Sequence, residues 1–142
     1  MNDRPKGALY TSELLSLAVE LAGAPYDPAA PLLGEARSRS CGSIIRISSD
    51  RQLTGLGLQA QACAVGQGAA AIFLRHAEGR SREDIAATLT ALEEWLSGEG
   101  ALPDWPDLEQ IEMAKDFPGR HGAILLPWQA ALDALSKSGG EG

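Results

Sequence analysis

The strongest constraint on the fold is a change of periodicity at residue 63. Before it, segment 41–48 is rich in isoleucine and segment 53–62 alternates apolar with polar residues, which are strand patterns. The polar stretch 49–52 between them predicts a hairpin turn. After residue 63, nearly all of the chain has helical spacing. Strands are therefore confined to the first half, which argues against a parallel fold of alternating strands and helices.

The other elements follow from the same patterns. A short strand is predicted over 35–39, and helices are predicted over 9–21, 64–77, from the N-cap Ser81 to Gly98, over 107–115 and over 120–136. Pro127 is expected to kink the last helix or to mark a restart. The predicted fold is α+β, with a three-stranded antiparallel sheet packed against helices. We expect one domain over 1–142, with disordered tails at 1–7 and 138–142.

Charge and composition narrow the class of partner. The chain of 142 residues has a net charge of −7, so nucleic acid and anionic membranes are not expected partners. Its first residues lack the pattern of a secretory signal, and no apolar run approaches the ~20 residues that span a bilayer. We therefore expect a cytoplasmic protein, in which two cysteines are more often ligands, reactive thiols or core residues than a disulfide.

Cys41 and Cys63 are the two cysteines of the chain, and each lies where a turn would present its thiol. Cys41 opens the isoleucine-rich strand, and Cys63 lies between a strand and a helix. Thiolates are soft-metal ligands, and oriented amides at a helix start stabilise a thiolate. The pattern predicts a metal site or a sulfur carrier, with inert core packing of both thiols as the alternative.

Three motifs resemble the IscU/SufU/NifU N-terminal family of iron–sulfur cluster scaffolds. Cys41-Gly42 before a strand resembles the family's Cys-Gly-Asp, and the segment 63–70 resembles its Gly-Cys-x-Ile-Ser-x-Ala-Ser helix start. Segment 117–120, Phe-Pro-Gly-Arg, with Trp128 downstream resembles the SufU type. The resemblance spans nearly the whole chain. It implies a SufE/NifU-like fold, in agreement with the periodicity.

The resemblance also implies a ligand set, of which this chain retains half. The family's ligands are Cys, Asp, Cys and Cys; here Ser43 and Ala123 take the second and fourth places. On this basis Cys41 and Cys63 are the expected ligands, with His121 as a third ligand and the Ser43 oxygen as a further one. The resemblance implies that these residues converge at one end of the sheet.

The implied function is non-catalytic assembly of iron–sulfur clusters. A cysteine desulfurase would donate sulfur, iron or zinc or a nascent Fe–S cluster would be bound, and recipient apo-proteins would be partners. The two missing ligands motivate an alternative, a metal-free family member that acts as a protein-interaction or regulatory module. A sulfur acceptor that uses Cys63 alone is a third hypothesis.

Overall fold

The computed structural model describes residues 12–39 and 42–139. The described part contains helices α1 (Ser12–Glu20), α2 (Ala64–Ala77), α3 (Arg82–Leu96) and α4 (His121–Gly139), and strands β1 (Leu32–Arg37), β2 (Ile44–Ser49) and β3 (Gly57–Gln61). The strands form one antiparallel sheet in the order β1-β2-β3. The prediction of an α+β fold with this sheet is confirmed. None of these helices is long and apolar enough to cross a lipid bilayer.

Most predicted elements differ from the structure only at their ends. Helix α2 matches its prediction, and Ser81 caps α3 as expected, its Oγ accepting a hydrogen bond from the Asp84 N–H at 3.1 Å. Strand β1 begins three residues before residue 35, the predicted strand start, because Leu32 packs into the core. The predicted helix start at residue 9 and the predicted tail 1–7 lie outside the described residues, as does the end of the tail 138–142.

One helix prediction is wrong in the type of helix, and the restart considered at Pro127 is absent. Segment 107–115 was expected to be an α-helix, but Leu108–Asp116 has 3-10 geometry interrupted at Ile111, whose φ is −117°. Helix α4 continues through Pro127 without a restart. Short 3-10 turns also follow α1 (Leu21–Gly23) and precede α4 (Pro118–Arg120).

Helix α4 packs against the sheet and binds two backbone groups on the outer edge of β1. The Glu35 N–H donates to the Asp133 carboxylate at 3.0 Å, and the Lys137 ammonium donates to the Leu33 carbonyl at 2.9 Å. The close approach depends on Gly34, because a Cβ there would lie 2.1 Å from the Ala130 carbonyl oxygen. An edge strand with satisfied backbone groups is a poor template for further strand pairing.

The opposite edge is covered by the chain that enters the sheet. The Leu58 N–H of β3 donates to the Ala24 carbonyl at 2.9 Å, and Pro25 forms a parallel bridge with Leu58. Asp27 extends the contact through its N–H, which donates to Ser48 Oγ at 2.9 Å. Backbone groups of both outer strands therefore have hydrogen-bond partners outside the sheet: side chains of α4 for β1, and the backbone of Ala24 for β3.

Three aromatic rings form the centre of the helical side of the core. Phe73 of α2 stacks on Trp105 with ring centroids 5.5 Å apart, and Trp128 of α4 meets both rings edge-on at 5.3 and 5.2 Å. The Trp105 indole N–H donates to the Ile72 carbonyl at 3.0 Å. All three tryptophans are packing residues, since Trp95, Trp105 and Trp128 are buried.

An ion-pair cluster, which we call the α2 clamp, joins α1, α2 and the segment before α4. It consists of Glu20, Arg75, His76 and Asp107. The Arg75 guanidinium donates to the Glu20 carboxylate and to Asp107 Oδ2, the latter at 3.1 Å. His76 Nε2 lies 2.8 Å from Asp107 Oδ2. The hydrogen bond from His76, and then that from Arg75, lower the pKa of Asp107.

We predict that Asp107→Asn destabilises the fold by about 1 kcal/mol near neutral pH, because a carboxylate accepts these hydrogen bonds more strongly than an amide. Asparagine tolerates the left-handed backbone of this residue, φ 73°. A lowered folded-state pKa stabilises the fold above the unfolded-state value of about 3.9, and this contribution is lost as the pH falls through the folded-state pKa. Urea unfolding of both proteins at several pH values measures the difference.

The control for this prediction is Asp116→Asn, because Asp116 is exposed. Its effect should stay within about 0.5 kcal/mol at every pH. A difference between the wild type and Asp107→Asn that persists undiminished below pH ~3 would contradict the assigned role of the Asp107 carboxylate.

Candidate functional site

Ser43 and Cys63 lie at the same end of the sheet. Ile44, the first residue of β2, pairs with Gln61, the last residue of β3, so the residue before β2 and those after β3 are neighbours. Ser43 is only 3% exposed, and its carbonyl accepts a hydrogen bond from the Ser38 N–H at 2.9 Å. Cys41 comes between β1 and β2 in the sequence and lies outside the described residues.

Cys63 is the N-cap residue of α2. Its backbone is extended, with φ −66° and ψ 173°, and its side chain makes no capping hydrogen bond. The strand-to-helix turn is held instead by Gln67, whose amide Nε2 donates to the Ala62 carbonyl at 2.9 Å. The half-buried Cys63 side chain packs against the core and is a free thiol. A thiol that is neither bonded nor sealed off is available as a ligand or nucleophile.

Ala123 lies over the first turn of α2. A Cβ built on Gly66 would lie 3.2 Å from the Ala123 Cβ and 2.8 Å from the Ala62 Cβ, and Ala123 is fully buried. The position to which the resemblance assigns the family's last cysteine therefore has only a methyl group, in a close contact between α2 and α4. This position supplies no donor atom.

His121 is the first residue of α4, two positions before Ala123. Its Nε2 atom lies 2.7 Å from the Lys115 carbonyl oxygen. Because a carbonyl can only accept, Nε2 carries the proton, and the lone pair of the neutral ring is on Nδ1. A histidine whose second nitrogen donates to a carbonyl has the arrangement that metal-binding histidines usually have. Arg120 precedes it as the last residue of a 3-10 turn and is half-buried.

The described residues alone do not complete a metal site. Over 12–39 and 42–139, no three side chains of histidine, cysteine, aspartate or glutamate are placed to hold a metal ion. The donors that fit a soft metal are the Cys63 thiol and His121 Nδ1. A third donor would have to come from Cys41 or from a hydroxyl such as that of Ser43.

The sequence did not predict two contacts near the C-terminal end of α2. His76 is half-buried, and its Nε2 atom is hydrogen-bonded to the Asp107 carboxylate in the α2 clamp. Arg80 was not singled out, although its guanidinium lies over the Trp105 ring at 4.1 Å. Both partners are 25 or more residues away in sequence, so no local pattern indicates either contact.

Comparison with solved structures shows which fold this is. The nitrogen-fixing NifU-like protein (N-terminal) of Brucella abortus superposes with a TM-score of 0.82 at 22% identity, over 94% of this chain and 96% of that one. A candidate iron–sulfur cluster assembly scaffold protein for the SUF system, from Fervidobacterium islandicum AW-1, superposes with a TM-score of 0.76 at 16% identity. The match covers 89% of this chain and 96% of that one. A hypothetical protein superposes with a TM-score of 0.65 at 16% identity, over 87% of this chain and 96% of that one.

Sequence comparisons add no closer relative. No protein-family model matches the chain, and no curated protein matches it. At 16 to 22% identity the structural matches establish the fold. The resemblance to the IscU/SufU/NifU N-terminal family is thus confirmed in the fold over nearly the whole chain.

Proposed function

We propose that this chain, which has the fold of the NifU-like and SufU proteins, is a scaffold-like protein of iron–sulfur cluster assembly. The observation that carries the proposal is Cys63, a half-buried free thiol that begins α2 at the end of the sheet where Ser43 lies. The cargo is iron, zinc or a nascent Fe–S cluster. Cys41 and Cys63 hold it, with His121 and the Ser43 hydroxyl as further ligands.

The ligand chemistry supports a transfer role over a structural one. Two thiolates and one imidazole nitrogen make three strong donors, which leaves the fourth coordination position to an exchangeable ligand: water, a partner thiol or the weakly binding Ser43 hydroxyl. Structural zinc sites are closed by four protein ligands, whereas transfer and catalytic sites keep an open place for water or a partner. The fully buried Ala123 cannot close the site.

Sulfur reaches the protein by exchange at Cys63. The Cys63 thiolate attacks the outer sulfur of a persulfide on a cysteine desulfurase. A new S–S bond forms on Cys63 as the donor's S–S bond breaks, and the desulfurase cysteine leaves as a thiolate. The step needs no external oxidant. Recipient apo-proteins are the onward partners.

Mass spectrometry of the protein after incubation with a cysteine desulfurase and cysteine tests this step. We expect a mass increase of one sulfur atom on the Cys63 peptide. Cys63→Ser should abolish it, while Cys41→Ser should retain it if Cys63 alone accepts sulfur. Persulfide on Cys41 only, or on neither cysteine while the desulfurase is active on a known acceptor, would contradict the assignment.

A metal-free regulatory module is the second candidate. It is favoured by the burial of Ser43 and Ala123, the residues at two of the family's four ligand positions. On this reading the protein occupies a desulfurase surface without accepting cargo. Desulfurase binding that is unchanged in the double variant Cys41→Ser, Cys63→Ser would support it. Stoichiometric iron or zinc in freshly purified protein would oppose it.

A further inference from the structure

Arg80, which follows the C-terminal end of α2, is oriented by two contacts. Its Nε donates to the His76 carbonyl at 2.7 Å, and its guanidinium carbon lies 4.1 Å from the centroid of the Trp105 ring. Trp105 is itself 3% exposed and fixed by its indole hydrogen bond to Ile72. The orientation of the guanidinium is therefore determined before any ligand binds.

The charge of Arg80 has no counter-ion among the residues that the structure describes. Within the described part of the chain, no carboxylate forms an ion pair with it, and its two terminal nitrogens make no hydrogen bond. This contrasts with Arg75, five residues earlier, which binds two carboxylates in the α2 clamp. A half-buried, oriented and unpaired guanidinium is unusual in a chain of net charge −7.

Arg80 borders a cavity of about 420 Å³ between α3 and the segment 103–106. Its other walls are the apolar side chains of Ala87, Ala91, Pro103, Trp105 and Pro106, with Thr88 and Asp104 as the remaining polar lining. The Thr88 hydroxyl already donates to the Asp84 carbonyl at 2.9 Å. The cavity thus combines one guanidinium, whose terminal nitrogens are available to a ligand, with apolar walls, as ligand sites commonly do.

We propose that this cavity binds a carboxylate attached to a small apolar group. The two terminal nitrogens of Arg80 pair with a planar carboxylate, while the proline and alanine side chains of the wall cover the apolar part. Asp104 on the rim disfavours a multiply charged anion such as phosphate. The site lies at the other end of α2 from Cys63, about 20 Å along a helix of 14 residues.

The carboxylate can come from a free small molecule or from the C-terminus of a partner chain. Phenylacetate represents the first source, and acetyl-Gly-Phe with a free carboxylate represents the second. Phenylacetamide and the amidated dipeptide are their uncharged counterparts. NMR titration, following the indole N–H signal of Trp105 in the full chain, reports binding at the cavity itself.

We expect at least one of the two carboxylates to shift the Trp105 signal in a saturable way, with its amide bound about tenfold more weakly or worse. The tighter carboxylate identifies the source. Arg80→Gln should weaken binding by about tenfold, while Arg82→Gln, an exposed arginine outside the cavity, should leave it unchanged. Ala87→Leu, which narrows the cavity without altering Arg80, should also weaken binding. No saturable shift with either carboxylate, or equal binding of the amides, would overturn the proposal.

Discussion

Gly34→Ala is expected to destabilise the protein by about 3 kcal/mol or more. The new Cβ would lie 2.1 Å from the Ala130 carbonyl oxygen and 2.6 Å from the Ala134 nitrogen, both backbone atoms of α4. Backbone cannot move aside as a flexible side chain can, so α4 would have to shift away from β1. That shift would also break the hydrogen bonds that Asp133 and Lys137 make to the strand edge.

Urea or guanidinium unfolding followed by circular dichroism measures this loss. Gly23→Ala is the matched control, since a Cβ at Gly23 meets nothing within 4 Å. It should change the free energy of unfolding by less than about 0.5 kcal/mol. A wild-type unfolding midpoint in Gly34→Ala would show that α4 does not pack on β1 as described.

Trp128→Ala is expected to lower the free energy of unfolding by about 3 to 5 kcal/mol. Trp128 is fully buried and contacts the rings of both Phe73 and Trp105, so its removal leaves a large cavity between α2, α4 and the segment before α4. Trp128→Phe should cost clearly less. Phenylalanine keeps an aromatic contact, and it removes an indole N–H that has no hydrogen-bond partner among the described residues.

The same unfolding experiment ranks these variants. Val19→Ala serves as the control, because Val19 is 73% exposed on α1. Its effect should be within about 0.5 kcal/mol. Equal losses in Trp128→Ala and Trp128→Phe would contradict the view that the aromatic contact, and not the indole nitrogen, stabilises this part of the core.

The elements that sequence predicts well are those whose cause is local. Helix α2 was predicted from 64 to 77 because its apolar spacing and the preceding strand pattern lie within one segment. The Ser81 cap was predicted because its partner, Asp84, is three residues away. The alternation of apolar and polar residues over 53–62 predicted β3, although the strand itself is limited to Gly57–Gln61.

The remaining features depend on contacts between distant residues. The edge of β1 is fixed by Asp133, which bonds to Glu35 across 98 positions. The 3-10 geometry after Asp107 accompanies a left-handed backbone at that residue and the α2 clamp, which reaches back to Glu20. No periodicity in a single segment encodes such contacts.

The candidate site, too, has features that the sequence predicts and features that depend on contacts between distant segments. The cysteines and the helix start at residue 63 are visible in the sequence, and so is the alanine at position 123, where the resemblance leads us to expect a cysteine. The hydrogen bond that puts the His121 lone pair on Nδ1, and the contact of Ala123 with Gly66, required the packing of α4. The Arg80 cavity was not predicted, since its walls come from two separate segments.

Anaerobic reconstitution with ferrous iron and sulfide, followed by analysis of iron and acid-labile sulfide per chain, tests the cargo-binding claim most directly. We predict bound iron in the wild type, its loss in Cys41→Ser and in Cys63→Ser, and reduced retention in His121→Ala. His76→Ala, which removes a histidine of the α2 clamp, should retain the wild-type content. Iron content in the wild type no greater than in the double cysteine variant would contradict the account.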